Sequence, residues 1–281
     1  MLADFVPPQT PALVIDRAAL IANIGEMQRR CEAAGVTVRP HGKMHKCSSI
    51  ARLQLEAGAV GLCCQTVGEA EAFARAGVPD ILLSAPVPPW GWPALAALGR
   101  GGPKLSAVID SAAQLALAPP GVTLLVDIDG GQQRTGVAIA DVPGLVRAVL
   151  AAGHCWGGLQ CYLGHLQADR GRADAHADAC RQLQALVADL RAAGLAPDVV
   201  TGGGTGTAPL DLASGVFTEL QAGSYAFMDA IYTEAGAPFE PALFLATAVV
   251  SRQRAQQVTL DCGLKALAVE APPRFVAGVP D

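Results

Sequence analysis

Residues 36–46 read Val36-Thr37-Val38-Arg39-Pro40-His41-Gly42-Lys43-Met44-His45-Lys46, and the rest of the chain takes its order from them. The β-branched opening predicts a strand. Continuing its two-residue period puts Arg39, His41 and Lys43 on one face. The chain contains four lysines, and two of them fall here. Gly42 lets the backbone approach a ligand closely, and Met44 begins the exit into a helix. A lysine at the end of a strand in a mostly apolar chain is a candidate for a depressed pKa and Schiff-base chemistry. A basic cluster on a solvated loop is the competing reading.

Outward from this stretch a regular alternation sets in. Strand-like runs occupy residues 36–40, 60–64, 81–84, 105–109, 123–128, 158–162, 199–201 and 219–221. Helical patterns fill most intervals, at 45–57, 68–76, 94–98, 111–116, 142–152, 172–193 and around 211–214. Eight strands separated by helices predict an α/β fold, a (β/α)8 TIM-like barrel. A doubly wound open sheet competes, but no GxGxxG follows the first strand, and Asp127-Ile128-Asp129-Gly130-Gly131 is not that fingerprint. Upstream, residues 12–15 form a short strand and Asp16 caps a helix that ends at Gly35. The barrel is expected over residues 16–235. After about Pro238 the pattern changes, with strands expected at 243–251, 257–262 and 266–270. Residues 236–281, together with 1–15, read as the start of a β domain cut short at Asp281. A segment of about 40 residues makes a poor core of its own.

Hydrophobic residues make up 51% of the 281 and charged residues 16%, so a large buried core is available. A net charge of -5 and a pI near 5.5 argue against a nucleic-acid surface. None of the eight cysteines forms a CxxC pair, and Cys63 and Cys64 are adjacent, so neither a zinc ribbon nor a disulfide scaffold is expected. The amino terminus lacks the pattern of a secretory signal, and no segment reads as a membrane span. A cytoplasmic protein is expected.

Barrels of this kind build their sites at the carboxyl ends of the strands. Those ends carry Lys43, Gln65, Ser84, Asp110, Arg134, Tyr162, residues 202–205 and residues 223–225. Thr201-Gly202-Gly203-Gly204-Thr205-Gly206-Thr207 offers successive N–H groups and hydroxyls suited to a phosphate, and Gly223-Ser224-Tyr225 forms a second such turn. These follow the seventh and eighth barrel strands, where barrels often hold phosphate. Around a closed barrel they adjoin Lys43. A lysine beside a phosphate cradle suits pyridoxal phosphate, with Lys43 preferred to Lys46, which belongs to the first turn of the next helix and either helps to lower its neighbour's pKa or contacts phosphate or solvent. His41 shares the pocket. Arg134 reaches the cofactor's phenolic oxygen or is a surface arginine. Gln160 and Tyr162 share a face toward ring or substrate. His165 is a candidate base or a structural histidine, while His154 and His176 read as loop and helix-surface residues.

Several segments together resemble the fold-type III pyridoxal enzymes of the alanine racemase-like barrel, and more closely the D-threonine aldolase and D-serine dehydratase group. They are TPALVID at 10–16, RPHGKMHKC at 39–47, GLCCQTVGEAEAFARAGVPDILLS at 61–84, TGGGTG at 201–206, TELQAGSYAFMD at 218–229 and, more weakly, DCGLK at 261–265. The resemblance implies that Lys43 carries the cofactor as an imine. It also implies that Gly203, Gly204, Thr205, Gly223 and Ser224, with Tyr225 beside them, hold the phosphate. It implies a homodimer and a divalent metal, manganese or zinc, bound by a His-x-Asp or His-x-Cys pair. This chain reaches Asp281 before such a pair, so no metal ligand is assigned, and Ala168 stands where many aldolases have a histidine. The expected reaction is cleavage of a D-3-hydroxy amino acid to glycine and an aldehyde, because TGGGTG and QAGSYAFMD look closest to the aldolase branch. The alternatives are dehydration of D-serine or D-threo-3-hydroxyaspartate, racemisation with Tyr162 or His165 as second acid, and a non-catalytic carrier of pyridoxal phosphate.

Overall fold

Asp16 ends the first strand and starts the first helix: its side chain accepts hydrogen bonds from the N–H groups of Ala18 and Ala19, at 3.0 and 3.1 Å. It separates β1 (Ala12–Ile15) from α1 (Arg17–Ala33). The computed structural model describes residues 7–168, 171–263 and 265–266. From there strand and helix alternate. β2 (Thr37–Val38) and α2 (Ser48–Glu56) are followed by β3 (Leu62–Cys64) and α3 (Val67–Arg75). Then come β4 (Asp80–Leu83), α4 (Trp92–Leu98), β5 (Lys104–Ile109), α5 (Ala112–Leu115), β6 (Thr123–Ile128) and α6 (Val142–Ala151). The second half runs through β7 (Trp156–Cys161), α7 (Ala173–Ala192), β8 (Val199–Gly202), α8 (Ala208–Ser214), β9 (Glu219–Leu220) and α9 (Ala230–Glu234).

Strands β2 to β9 are parallel, each beside its chain neighbour, and β9 pairs with β2. The circle closes between β2 and β3, where His41 bridges Cys63 and the Cys63 N–H donates to Pro40 O at 2.8 Å. A closed sheet has no switch point, which removes the doubly wound alternative. The helices cover the outside, and the main apolar core lies between them and the strands. Inside the barrel, Cys63, Leu82, Val108 and Leu125 make an apolar patch from β3 to β6. The other half of the interior is polar, and that half leads to the site.

The predicted helix at 45–57 begins three residues late, because residues 42–44 form a 3-10 turn first. The remainder pairs antiparallel: β1 lies on β10 (Leu243–Ala246), and β11 (Val249–Arg254) on β12 (Gln257–Leu260). The single strand expected at 243–251 is therefore two. Asp261 breaks it by accepting from the Thr247 hydroxyl at 2.7 Å and the Ala248 N–H at 2.9 Å. The strand expected at 266–270 lies, beyond Ala266, outside the described residues. All eight cysteines are free thiols. Among the described residues no helix is long and apolar enough to cross a membrane.

Candidate active site

Arg39, His41 and Lys43 do point inward together, at three depths. Arg39 is deepest, and its guanidinium binds Glu219 at 2.9 Å and Asp80 at 2.7 Å. Glu219 accepts from the Thr201 hydroxyl (2.8 Å), which accepts from the Gln221 amide (2.9 Å). Gln221 also donates to Gln160 Oε1 (3.0 Å), and Gln160 donates to Asp127 (2.8 Å) and Ser84 O (2.9 Å). Carboxylates and a carbonyl, which only accept, stand at both ends. Every amide in the chain therefore has a fixed orientation. Both Gln221 N–H groups are used, and its Oε1 has no hydrogen-bond partner among the described residues.

His41 is buried, and its ring is held at both nitrogens. Nδ1 accepts from the Lys43 N–H at 3.4 Å, so Nε2 donates to Ser84 Oγ at 2.8 Å, and Ser84 donates to Cys64 O at 3.2 Å. Burial, then repulsion from Lys43, Arg134 and His45, holds its pKa well below 6.5. His41 is a neutral wall with no lone pair left to act as a base.

Lys43 rises from the 3-10 turn at the mouth. Its Nζ donates to Gln65 Oε1 at 3.4 Å and lies 5.7 Å from the centre of the Tyr162 ring. Although the side chain opens to solvent on one side, desolvation and then repulsion from Arg134 lower its pKa. Lys46 contributes nothing to that shift. It lies outside the helix, in the left-handed region at φ 46°, and pairs with Glu69 at 3.2 Å. Gly42 serves packing and not a ligand, since a Cβ there would sit 2.6 Å from the Phe73 ring. Gly42→Ala is expected to cost about 1–3 kcal/mol of stability through overpacking, with cofactor affinity little changed. Urea denaturation beside a binding titration checks this; unchanged stability with weakened binding would restore the ligand reading.

Arg134 reaches the cleft from the loop after β6. Asp129 accepts from the Gly131 and Gln133 N–H groups (2.9 and 3.0 Å), and Thr135 donates to Asp127 (2.8 Å), so both flanks of Arg134 are tied down. Its guanidinium lies 5.3 Å from the centre of the Tyr162 ring. Two cations thus face one phenol. Burial raises the Tyr162 pKa, with Arg134 opposing, so the phenol keeps its proton at neutral pH.

The two glycine turns meet across the cleft from this group. The Gly204 N–H is taken by Asp211 (3.2 Å) and the Gly206 N–H by Gln167 (3.0 Å), while Thr205 Oγ accepts from the Tyr225 N–H (2.9 Å). The N–H groups of Gly203, Thr205, Gly223 and Ser224 have no partner among the described residues, and all four residues line the cleft. Gly203 stands at φ +68°, and a Cβ there would run into the Asp211 carboxylate. Four open N–H donors on two adjoining turns fit a phosphate. The cleft encloses about 520 Å³, counting space open to solvent.

Two residues expected here are elsewhere. The Tyr225 ring is buried in a second core, bonded to Gln54 at 3.0 Å and packed on Phe239. Successive residues of the 3-10 turn at 224–226 diverge by about 120°, so Ser224 faces the cleft and Tyr225 the core. His165 is exposed, its ring 3.6 Å from where a Cβ on Gly131 would stand, and it does not line the cleft. Sequence reasoning missed Gln221, Gln167 and Tyr232, which do line it. Tyr232 lies beside Ser224 of the second turn. His176, read as a helix-surface residue, is buried and bonded to Asp211 at 2.7 Å.

Residues 15–230 match the family described as alanine racemase, N-terminal domain. A D-threonine aldolase from Arthrobacter sp. is 43% identical over 96% of this chain and 76% of its own length. A D-threo-3-hydroxyaspartate dehydratase from Delftia sp. (strain HT23) is 35% identical over 87% of this chain and 68% of its own. The crystal structure of a D-threonine aldolase from Filomicrobium marinum superposes with a TM-score of 0.87 at 36% identity, covering 96% of this chain and 76% of that one. With a closed barrel, a lysine at the mouth and a paired glycine cradle, the chain belongs to the alanine racemase N-terminal domain family, in the D-threonine aldolase-like group of fold-type III enzymes whose cofactor is pyridoxal phosphate.

Proposed function

We propose that this protein is a pyridoxal phosphate-dependent lyase that splits D-3-hydroxy amino acids, converting D-threonine to glycine and acetaldehyde. The observation that carries the reading is one cleft holding an amine of lowered pKa, two cations over a tyrosine, and a four-donor phosphate cradle. Lys43 would hold the cofactor covalently, Arg134 its phenolic oxygen, Tyr162 its ring, and Gly203, Thr205, Gly223 and Ser224 its phosphate. Gly204 supports the turn from behind. When bound, the cofactor supplies an electron sink for charge developing at the substrate α carbon.

The chain's own residues then divide the proton work. His41 has no free lone pair and His165 lies outside the cleft, so neither takes a proton from substrate. Tyr162 keeps its proton and is suited to donate. The Lys43 amine, with its lowered pKa, is the group that accepts one. Taking it from the α carbon leads to loss of hydroxide, the dehydratase route; taking it from the β-hydroxyl leads to carbon–carbon cleavage. General acid–base help at that position is typically worth about 10²–10⁴-fold.

The group to which the chain belongs brings a divalent metal into the reading. Among the described residues no cluster of three or more His, Cys, Asp or Glu is placed to hold one, and no step is routed through it. Product analysis after incubation with D-threonine, with and without manganese or zinc, tests the proposal. Glycine and acetaldehyde are expected. Ammonia and 2-ketobutyrate would replace it with the dehydratase reading, and D-to-L conversion with racemisation. Tight cofactor binding without turnover in any arm would favour a carrier.

Residues 16–235 form the cofactor-binding unit in this reading, and residues 236–281 with 1–15 the β unit, supported by the β1–β10 pairing. Leu13, Val250 and Val258 on these strands are exposed. They favour a homodimer, which light scattering at micromolar concentration tests.

A further inference from the structure

Behind the first glycine turn lies a buried ion pair with no part in the chemistry above. His176 on α7 places Nε2 2.7 Å from Asp211 Oδ1 on α8; 3% of one side chain and none of the other is exposed. Asp211 Oδ2 accepts from the Gly204 N–H at 3.2 Å and the Thr207 hydroxyl at 2.6 Å. One carboxylate therefore ties down two residues of the turn from the rear. Its charge faces the same turn that offers N–H groups to an anion in front. Left uncompensated, it would repel that anion through a medium of low dielectric.

His176 is placed to compensate it. Arg172, at the start of the same helix, donates to the Gly206 and Ala235 carbonyls, at 2.8 and 3.2 Å. The other titratable groups facing Asp211 are acids: Cys31 of α1, Cys161 of β7, and Tyr162 beyond it. Their pKa values are raised by burial first and by the Asp211 charge in addition. Cys180 Sγ, 3.6 Å from His176 Nδ1, occupies the other ring nitrogen.

We propose that His176 is a positioning residue for the cofactor phosphate: as an imidazolium it neutralises Asp211, fixes the Gly203–Thr207 turn through it, and so lets an anion bind in front. The inference rests on the assignment of that turn to a phosphate. Burial alone would discharge His176, but the hydrogen bond to Asp211, helped by Cys180, outweighs it and raises the pKa to about 9. The sign follows: the imidazolium and the stability it adds are complete below the ordinary value of 6.5, and are lost as pH rises through about 9.

The test compares pyridoxal phosphate with pyridoxal, which lacks the phosphate, by absorbance titration of the intact chain and of His176→Gln. Glutamine keeps a donor for Asp211 and removes the charge. The variant is expected to bind pyridoxal phosphate roughly 10- to 100-fold more weakly, the scale of one uncompensated nearby charge, with pyridoxal affinity unchanged. Adding Asp211→Asn to the variant should restore part of the loss. In the wild-type protein the preference for the phosphorylated ligand should fall as pH passes about 9, a readout that stands even if the variant does not fold. Equal losses for both ligands, or a preference indifferent to pH, would overturn the role of His176. A wild-type protein with no preference at pH 7 would instead remove the phosphate assignment itself.

Discussion

Lys43→Ala is expected to abolish borohydride-reducible attachment of pyridoxal phosphate and to lower turnover by about 10³-fold or more, the scale seen when a covalent catalytic group is removed. The reason is positional. Lys46 is spent on Glu69 outside the cleft, and Lys104, at the start of β5, pairs with Asp80 at the opposite end of the barrel, 3.5 Å away. Neither can substitute. Burial and Arg134 both disfavour the Lys43 ammonium, so its amine frees itself at a lower pH than an ordinary lysine at 10.5. Attachment should therefore strengthen with rising pH and level off below 10.5. Lys43→Arg separates charge from nucleophilicity: it keeps a cation over Tyr162 and should be as inactive as the alanine variant. Reduction and peptide mapping of the wild-type protein should label Lys43; a label on Lys46 would refute the assignment.

The barrel was legible because each strand is a short apolar run closed off by Gly, Pro or a polar residue, and local sequence suffices to mark it. Lys43 was legible for the same reason, as the continuation of one such run. What escaped depended on distant residues. The break after Ala246 is made by Asp261, thirteen or more residues away. Tyr225 stands beside the glycine turn in sequence, yet a 3-10 turn swings its ring into another core, while Tyr232, seven positions on, takes the place by the cleft. His176 did leave a signal. It falls on the stripe of Cys180, Leu183, Val187 and Leu190, the buried face of α7, and a histidine on such a stripe needs a buried partner. Asp211, thirty-five residues later, cannot be read as that partner without the fold.

The largest effect on stability is expected from Arg39→Met, a loss of about 3–5 kcal/mol, as is typical when one member of a buried ion pair is removed. Arg39 binds two carboxylates in the barrel interior, with side-chain exposures of 10% for itself, 16% for Asp80 and 4% for Glu219. Asp80 retains Lys104, but among the described residues Glu219 retains only the Thr201 hydroxyl. A charge is then stranded among strands that cannot move apart. The double variant Arg39→Met, Glu219→Gln removes both charges and should recover most of the loss, because a buried pair is worth far less than the penalty of half a pair. Urea denaturation of the two variants checks this, the single variant showing a lower midpoint at an unchanged slope. In the double variant Asp127 and Ser84 O, which only accept, still fix Gln160 from the other end, and Gln160 Oε1 still takes its bond from Gln221, so the amide face offered to the cleft should survive the exchange of Glu219 for glutamine. Stability restored with cofactor binding unchanged is the expected result, and it would show that the ion pair holds the barrel while the Asp127 end keeps the floor oriented. Should the double variant remain as unstable as the single one, packing around the Arg39 stem and not its charge would be the cause.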